Sequence, residues 1–336
     1  MKRSTRLGRL SNPHRQRGVA LIIALILVTL ATILATKLTF DGYLERQRAI
    51  GVLASEQALQ FGMGAEALAA DVLVQDAQNT ETTLTGAWAQ PTQALPITPS
   101  DNPEGEPIGT LQGELEDMQG RFNLNSLAHV IQGPAGNVIQ DPQPLEQFQR
   151  LLQLAGVEPK WAGIARDWID TDDIPGSPDG AEDQVYTSQT PPYRTGNWPM
   201  MSPSELMNMP GFGADRYRKI APYVAALPAT VLAINICTAP APVLESLLNN
   251  LGEYTPEVLA NGRKNGCFPD QRSFTNIVAS LGAKAPPATS FTYKSNYFRL
   301  TTHVTLGTTE FTLYSLLLRS GNGGKVTPLL RSFGTP

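Results

Sequence analysis

Histidine and cysteine are nearly absent. The 336-residue chain holds three histidines, His14, His129 and His303, scattered along its length, and two cysteines, Cys237 and Cys267. A thiol enzyme needs histidine support for its cysteine, and a hydrolase nucleophile sits in a recognisable elbow. Neither pattern occurs, so the sequence offers no catalytic set and reads as a non-enzyme. Charge is modest at 17% of residues, and the first eighteen positions contain no acid at all. Glycine and proline, by contrast, number 29 and 27, which implies many loops. The length leaves room for an anchor and two or three small domains.

What is present is organised around one apolar run. Val19 to Leu38 reads VALIIALILVTLATILATKL, with Lys37 as its single charge. As a helix it would be about 30 Å long, the thickness of a bilayer's hydrocarbon core. Lys2, Arg3, Arg6, Arg9, Arg15 and Arg17 precede it. That asymmetry places the N-terminus in the cytoplasm and everything after a single span, residues 19–38, outside it. Three readings stay open: a cleaved secretory signal, an uncleaved signal anchor and a prepilin leader. The run is longer than a usual signal core, and no clear small-x-small cleavage site follows it. Arg17-Gly18-Val19-Ala20-Leu21-Ile22 resembles a type IV prepilin leader over residues 1–18. In that family a membrane peptidase cuts after the glycine, here between Gly18 and Val19, and the helix stays as anchor.

Without the six leader cations, 20 basic residues face 30 acidic ones, a net of −10. Such a body disfavours non-specific DNA binding, which depends on neutralising phosphates. From Asp41 to about Gln75 apolar residues recur three or four apart: Ile50, Leu53, Ala54, Ala58, Phe61, Ala65, Leu68 and Val72. The spacing predicts an amphipathic stem over residues 39–76, continuous with the membrane helix, with a stripe to bury. Gly42, Gly51, Gly62 and Gly64 weaken it by about 1 kcal/mol each against Ala. Residues 79–107 read as a loop. Alternation predicts a strand from Ile108 to Met118, a hairpin of Tyr297–Thr305 with Glu310–Leu318, and a last strand over Lys325–Ser332. Between these, residues 145–170, 203–224 and 240–281 carry helical patterns that fall into two lobes, divided near Leu227 to Ile234.

Gly120-Arg121-Phe122-Asn123-Leu124-Asn125-Ser126-Leu127 makes a resemblance specific. This segment looks like the family of type II secretion protein K, the large minor pseudopilin of the general secretion pathway. Further matches follow in the family's order: Asp167-Trp168-Ile169-Asp170-Thr171-Asp172, Gly180-Ala181-Glu182-Asp183, Pro192-Tyr193-Arg194, Ser204-Glu205-Leu206, Pro222-Tyr223-Val224 with Ala226-Leu227-Pro228, and Ile234-Asn235 with Thr238-Ala239. The resemblance implies an α+β fold. A transmembrane and stem helix would lie on a small antiparallel pseudopilin sheet built from residues 77–125 and 291–336. Two SAM-like helical domains, 126–230 and 231–290, would be inserted between its strands. It also implies an inner-membrane protein with a periplasmic body, cut by prepilin peptidase and methylated. Its partners would be other minor pseudopilins and the inner-membrane secretion platform, with exoprotein substrates as further candidates.

The strongest chemical candidate is the acidic loop DTDDIPGSPDGAED, from Asp170 to Asp183. Carboxylates this close repel one another unless a cation neutralises them. Ca2+ fits best, because it takes six to eight oxygens in flexible geometry. The spacing departs from an EF-hand, since Asp173 breaks the register begun by Asp170 and Asp172, and a solvated acidic loop is the alternative. The resemblance implies calcium sites here, with Asp170, Asp172, Glu182 and Asp183 where the motif matches and Asp173 and Asp179 as secondary candidates.

Pro210-Gly211-Phe212-Gly213, with Arg216, Arg218 and Lys219 behind it, looks like a helix-hairpin-helix turn that binds phosphate through helix-opening amides. The rival function is therefore a membrane-anchored DNA-uptake protein. The acidic body and the lack of Gly-x-Gly in the second lobe oppose it, and no nucleic-acid partner is expected. Cys237 and Cys267 permit one disulfide in an oxidising compartment, with two buried thiols as the alternative. The resemblance lends the pair no support, because Cys237 stands where the family's pattern carries Asn. Most pseudopilins carry Glu at the fifth residue of the processed helix, where this chain has Ile23. In pilin-like fibres that Glu is thought to neutralise the N-terminal amine of the subunit above. An intramembrane carboxylate without such a partner is costly. Its absence, together with the bulk between residues 126 and 290, implies a tip position.

Overall fold

The computed structural model describes residues 17–99, 102, 104–134, 136–249, 257–320 and 324–334. The leader expected over residues 1–18 therefore lies outside the described residues except for its last two positions, and so does His14. The chain divides into two units, one up to Gln57 and one from Ala58 onward. A single helix, α1 (Arg17–Asp76), passes from the first into the second.

In the first unit α1 is long and apolar enough to cross a membrane, with a mean hydropathy of 2.8 in its most apolar window. The hydroxyls of Thr29, Thr32, Thr36 and Thr39 each donate to a carbonyl four residues back. Hydrocarbon offers no partner for a polar group, so such groups must be satisfied inside the helix.

In the second unit α1 lies on a sheet through Ala58, Ala65, Ala69 and Leu73, all buried. Gly62 allows the closest approach: a Cβ there would stand 3.0 Å from Leu313 Cδ2. The buried face is thus narrower than the expected stripe. Ala58 and Ala65 belong to it, whereas Leu68 is more than half exposed, at 56%; Ile50 and Leu53, in the first unit, are exposed as well. Small residues win the inner face because they let the helix backbone approach the sheet.

The sheet contains β1 (Leu95–Ile97), β2 (Gly109–Asp117), β3 (Tyr297–Leu306), β4 (Thr309–Arg319) and β5 (Val326–Phe333), adjacent in that order and antiparallel throughout. It is a meander in sequence order, interrupted by residues 118–296. β2 and β3 pair along their length, from Gly109 opposite Leu306 to Asp117 opposite Phe298. The expected strands and hairpin are present, and the hairpin turns through Gly307 at φ +58°, a conformation glycine adopts without strain. β1 lies in the stretch expected to be loop. It is three residues long and contains Pro96, which an edge strand tolerates and which hides it from a sequence reading. Phe298, Leu300, Val304, Leu306, Leu313 and Leu317 point inward, and Trp88 packs edge-on against Phe298 at 5.3 Å.

The interruption folds as α2 (Pro142–Leu154), α3 (Trp161–Ile169), α4 (Asp183–Thr187), α5 (Gly213–Ile220), α6 (Ala241–Ser246), α7 (Val258–Asn261) and α8 (Gln271–Ser280). Two two-residue parallel pairings close the two segments expected as lobes, 126–230 and 231–290. Phe122–Asn123 pairs with Val224–Ala225, and Ile234–Asn235 pairs with Phe291–Thr292. The second residue of each opening pair is Asn, and its Oδ1 accepts the amide two residues on: Asn125 N at 3.2 Å and Cys237 N at 3.0 Å. The two segments are not separate bodies, because one buried core runs from Phe122 to Phe291 through both. Across their boundary, Arg150 Nε donates to Ser246 O at 2.9 Å and Gln147 Nε2 to Ser246 Oγ at 3.3 Å.

A buried polar cluster fastens the insertion to the sheet. At the end of β2, Asp117 Oδ2 accepts from Asn235 Nδ2 (2.9 Å), Thr238 Oγ1 (2.6 Å) and Ser295 Oγ (2.5 Å), while its Oδ1 accepts Gln119 N (2.8 Å). Burial pushes the Asp117 carboxyl up, against the pull of these four donors.

Candidate functional site

The acidic loop follows α3, whose last turn presents Asp167 inward beside Trp168 and Ile169. Asp170, Asp172 and Glu182 bring one carboxylate oxygen each to within 4.8 Å of the others. Asp170 and Glu182 are buried, at 8% and 2% exposure, and Asp172 is exposed. Gln140 Nε2 donates to Asp170 Oδ2 at 2.8 Å, and Ile174 N to Asp172 Oδ1 at 2.9 Å. Among the described residues, Asp170 Oδ1 and both oxygens of Glu182 have no hydrogen-bond partner. Burial pushes Asp170 up to about 6, with Asp167 and Asp172 adding repulsion. Burial likewise pushes Glu182 up to about 7, with Asp167, Asp170, Asp172 and Asp173 adding to it. An unpartnered buried polar group costs about 1–3 kcal/mol, and more when charged. One oxygen each of Asp170, Asp172 and Glu182, all hard donors, converge where a divalent cation of the Ca2+ type would fit, and it would relieve the unpartnered oxygens of the two buried acids.

The other acidic candidates lie elsewhere. Asp183 opens α4 and faces Thr195, accepting its amide at 3.1 Å and its hydroxyl at 3.0 Å, with Arg194 at 3.2 Å from the other oxygen. Its first-turn position sets it against these partners rather than toward Glu182. Asp173 accepts from Asn197 Nδ2 at 3.2 Å on the surface, and Asp179 lies outside the converging group. Asp167, named in the sequence only as part of a motif and not as a ligand candidate, is fully buried beside the group. The available signal was its place in Asp167-Trp168-Ile169-Asp170, at the end of an apolar helix and just before the acidic loop.

The glycine-rich hairpin stays exposed at Gly211 and Gly213 and turns only Phe212 inward. Phe212 is buried and packs edge-on against Trp161 at 5.2 Å. Arg216 forks onto Glu158 at 2.7 and 2.6 Å, Arg218 pairs with Asp215, and Lys219 Nζ donates to Gly156 O at 3.2 Å. Each cation that would greet a phosphate is engaged within the chain. Cys237 and Cys267 are joined in a disulfide, with Cα atoms 4.4 Å apart, and both are buried. Glu81 lies near both sulfurs, but sulfurs bonded to each other offer no metal thiolate. Ile23 lies on α1 with its side chain about half exposed.

A membrane-length helix whose later turns lie on a small antiparallel meander, with a helical body spliced between neighbouring strands, defines a pilin-like subunit with an insertion. Comparison with known proteins narrows that class. A family model described as Type II secretion system (T2SS), protein K matches residues 120–229. The chain is 32% identical over 335 residues to type II secretion system protein K of Pectobacterium carotovorum subsp. carotovorum, covering 95% of this chain and 97% of that protein. It is 33% identical over 331 residues to the protein of the same description from Pseudomonas aeruginosa, covering 95% and 93%. Among solved structures it is similar to a chain of the GspK-GspI-GspJ complex from the enterotoxigenic Escherichia coli type 2 secretion system. The TM-score is 0.71 at 25% identity, over 86% of this chain and 100% of that one. The chain belongs to the type II secretion system protein K family and is a minor pseudopilin of type II secretion. The DNA-uptake alternative is not favoured.

Proposed function

We propose that this subunit stands at the tip of the periplasmic pseudopilus and initiates or caps the filament that drives export of folded proteins. The carrying observation is the helical body spliced between β2 and β3, which is too bulky to repeat along a thin fibre. Ile23, at the fifth position after Gly18, supports the same placement, because a subunit with no neighbour above has no amine to neutralise. α1 anchors the chain once in the inner membrane, with the N-terminus cytoplasmic and the body periplasmic. Prepilin peptidase cuts between Gly18 and Val19, and methylation follows. The two lobes are read as SAM-like domains, each entered through a Phe-Asn or Ile-Asn pairing. Other minor pseudopilins pack their stem helices on the exposed side of α1. The similar solved chain was determined as a GspK-GspI-GspJ complex, which supports that class of partner. The secretion platform and exported proteins complete the list, and the role is structural rather than catalytic.

The acidic group is read as a structural Ca2+ site formed by Asp170, Asp172 and Glu182, which bound calcium would cross-link. Native mass spectrometry of the full chain in detergent, with and without chelator, is expected to show loss of calcium on chelation. Placement is tested by immunogold labelling of pseudopili carrying a C-terminally tagged chain. Label at one end of each filament is expected, and label along the length would overturn the proposal.

A further inference from the structure

Cys237 and Cys267 are bonded to each other, but the bond is not all that holds them together. Three chain segments meet here, and each is fixed by contacts of its own. Cys237 follows the Ile234–Asn235 pairing, and its amide donates to Asn235 Oδ1 at 3.0 Å. Cys267 closes a tight turn with Lys264: Lys264 N donates to Cys267 O at 2.7 Å, and Cys267 N to Lys264 O at 3.2 Å. The turn passes through Asn265 at φ +53° and Gly266 at φ +91°. A Cβ on Gly266 would stand 2.8 Å from Thr85 Oγ1, so the glycine lets the turn close onto the segment that follows the stem. Glu81 belongs to that segment. Its neighbour Thr82 is buried, donates its amide to Tyr293 O at 2.8 Å and accepts Asn235 Nδ2 at its carbonyl at 3.0 Å.

One carboxylate oxygen of Glu81 and the two sulfurs lie within 4.8 Å of one another, with both cysteines buried and Glu81 partly exposed. The nearby Arg263 does not serve Glu81, because its guanidinium donates to Ile236 O at 2.9 Å and to Ala239 O. The Tyr293 hydroxyl is buried with no hydrogen-bond partner among the described residues. Burial pushes it up, and the charges of Glu81 and Asp270 add to that.

Before the bond forms, the same backbone presents two thiols and a carboxylate. Two thiolates on a tetrahedral Zn2+ stand about 3.8 Å apart for a Zn–S distance of about 2.3 Å. Side-chain rotation reaches that separation from Cα atoms 4.4 Å apart. Thiolates alone suit Cu+ as well as Zn2+, and a hard carboxylate oxygen beside them favours Zn2+. Three protein ligands leave the fourth position to water.

We propose that the reduced chain holds Zn2+ at Cys237, Cys267 and Glu81, and that formation of the disulfide expels it. Until then the ion ties the 264–267 turn to Cys237. In the exchange an incoming disulfide is the oxidant and takes two electrons. The Sγ–Sγ bond forms while both Zn–S bonds and the oxidant's S–S bond break. Zn2+ leaves, and the oxidant departs as two thiolates that take protons from water.

The test is Co2+ titration of the full chain in detergent, reduced and kept anaerobic, with excess Ca2+ to occupy sites made only of oxygen. Thiolate-to-cobalt charge-transfer absorption and the d–d bands of a tetrahedral ion are expected, and added Zn2+ should remove both. The oxidised parent and reduced Cys237→Ser should show no charge-transfer band. Glu81→Gln is expected to weaken Zn2+ at least about ten-fold, the smallest loss seen when a mere supporting group is removed. Zn2+ is also expected to raise the urea midpoint of the reduced parent and to leave that of reduced Cys237→Ser unchanged. Should the reduced parent be unfolded without metal, Zn2+ is expected to refold it. No thiolate band in the reduced parent, or no effect of Zn2+ on its folding, would overturn the proposal. Parent-like Zn2+ affinity in Glu81→Gln would overturn the three-ligand site.

Discussion

Arg319 closes β4 with its guanidinium buried against the end of α1. It donates to Leu73 O at 3.0 Å, Asp76 Oδ2 at 2.9 Å, Thr82 Oγ1 at 2.9 Å and Ser295 O at 2.6 Å, and lies 5.0 Å from the Phe298 ring. A cation there meets the negative end of the helix dipole and one of its last carbonyls. Arg319→Met leaves Asp76 buried and uncompensated, so a loss of about 3–5 kcal/mol is expected in urea unfolding. The double variant with Asp76→Asn should recover part of it. Glu245 is the opposite case, buried, with Oε1 unpartnered among the described residues, and pushed up to about 7 by burial. The folded state then binds more protons than the unfolded state between the ordinary value of 4.5 and about 7. Its contribution is therefore favourable at low pH and declines as pH rises through that window. Glu245→Gln is expected to raise the melting temperature more at pH 8 than at pH 5, and an equal shift at both would contradict this. Residues of this kind were hardly legible in the sequence. Arg319 reads as an ordinary strand-end cation, and Asp167 as one more acid in an acidic stretch, because burial is decided by elements far away in the chain.

At the scale of elements, periodicity carried most of the information. The alternation in β2, β3 and β4 and the apolar spacing in α2 and α3 placed those elements to within a few residues. β1 escaped because three residues with a proline carry no period. The equivalence of the two lobe entrances was legible only in part. Phe122-Asn123-Leu124-Asn125-Ser126 and Ile234-Asn235-Ile236-Cys237-Thr238 occupy matching positions at the two parallel pairings. In the first, Asn125 staples the chain at Met200, donating to its carbonyl at 2.9 Å and accepting its amide at 2.7 Å. In the second, Cys237 makes its link to Cys267 covalently, 30 residues on. The disulfide thus stands where the first lobe uses an amide side chain. Closing a loop of that length is worth about 3–4 kcal/mol in the chain-entropy model. Cys237→Ala with Cys267→Ala is expected to lose about that much in denaturant unfolding. In the Cys267→Ala background, Cys237→Asn should lose less than Cys237→Val, and equal losses would argue against the equivalence.

At the scale of the whole molecule, the apolar span and the ordered run of motifs made the coarse architecture readable in the sequence. The single core shared by both lobes did not follow, because packing between α2 and α6 leaves no mark in either helix's own period. If bulk and the residue at position 23 jointly set placement, Ile23→Glu is expected to spread this subunit along the pseudopilus under immunogold labelling. Unchanged end labelling would assign placement to bulk alone. The interrupted meander has a further consequence, for the order in which the chain can fold. β2 cannot pair with β3 until residues 118–296 have emerged, so the sheet has a high contact order and forms late. Through most of synthesis and export, Ala58, Ala65, Ala69 and Leu73 have no surface to rest on. The stem waits, apolar side bare, for roughly the last forty residues to arrive, and a chain truncated before β3 would hold that side open to aggregation or chaperone capture.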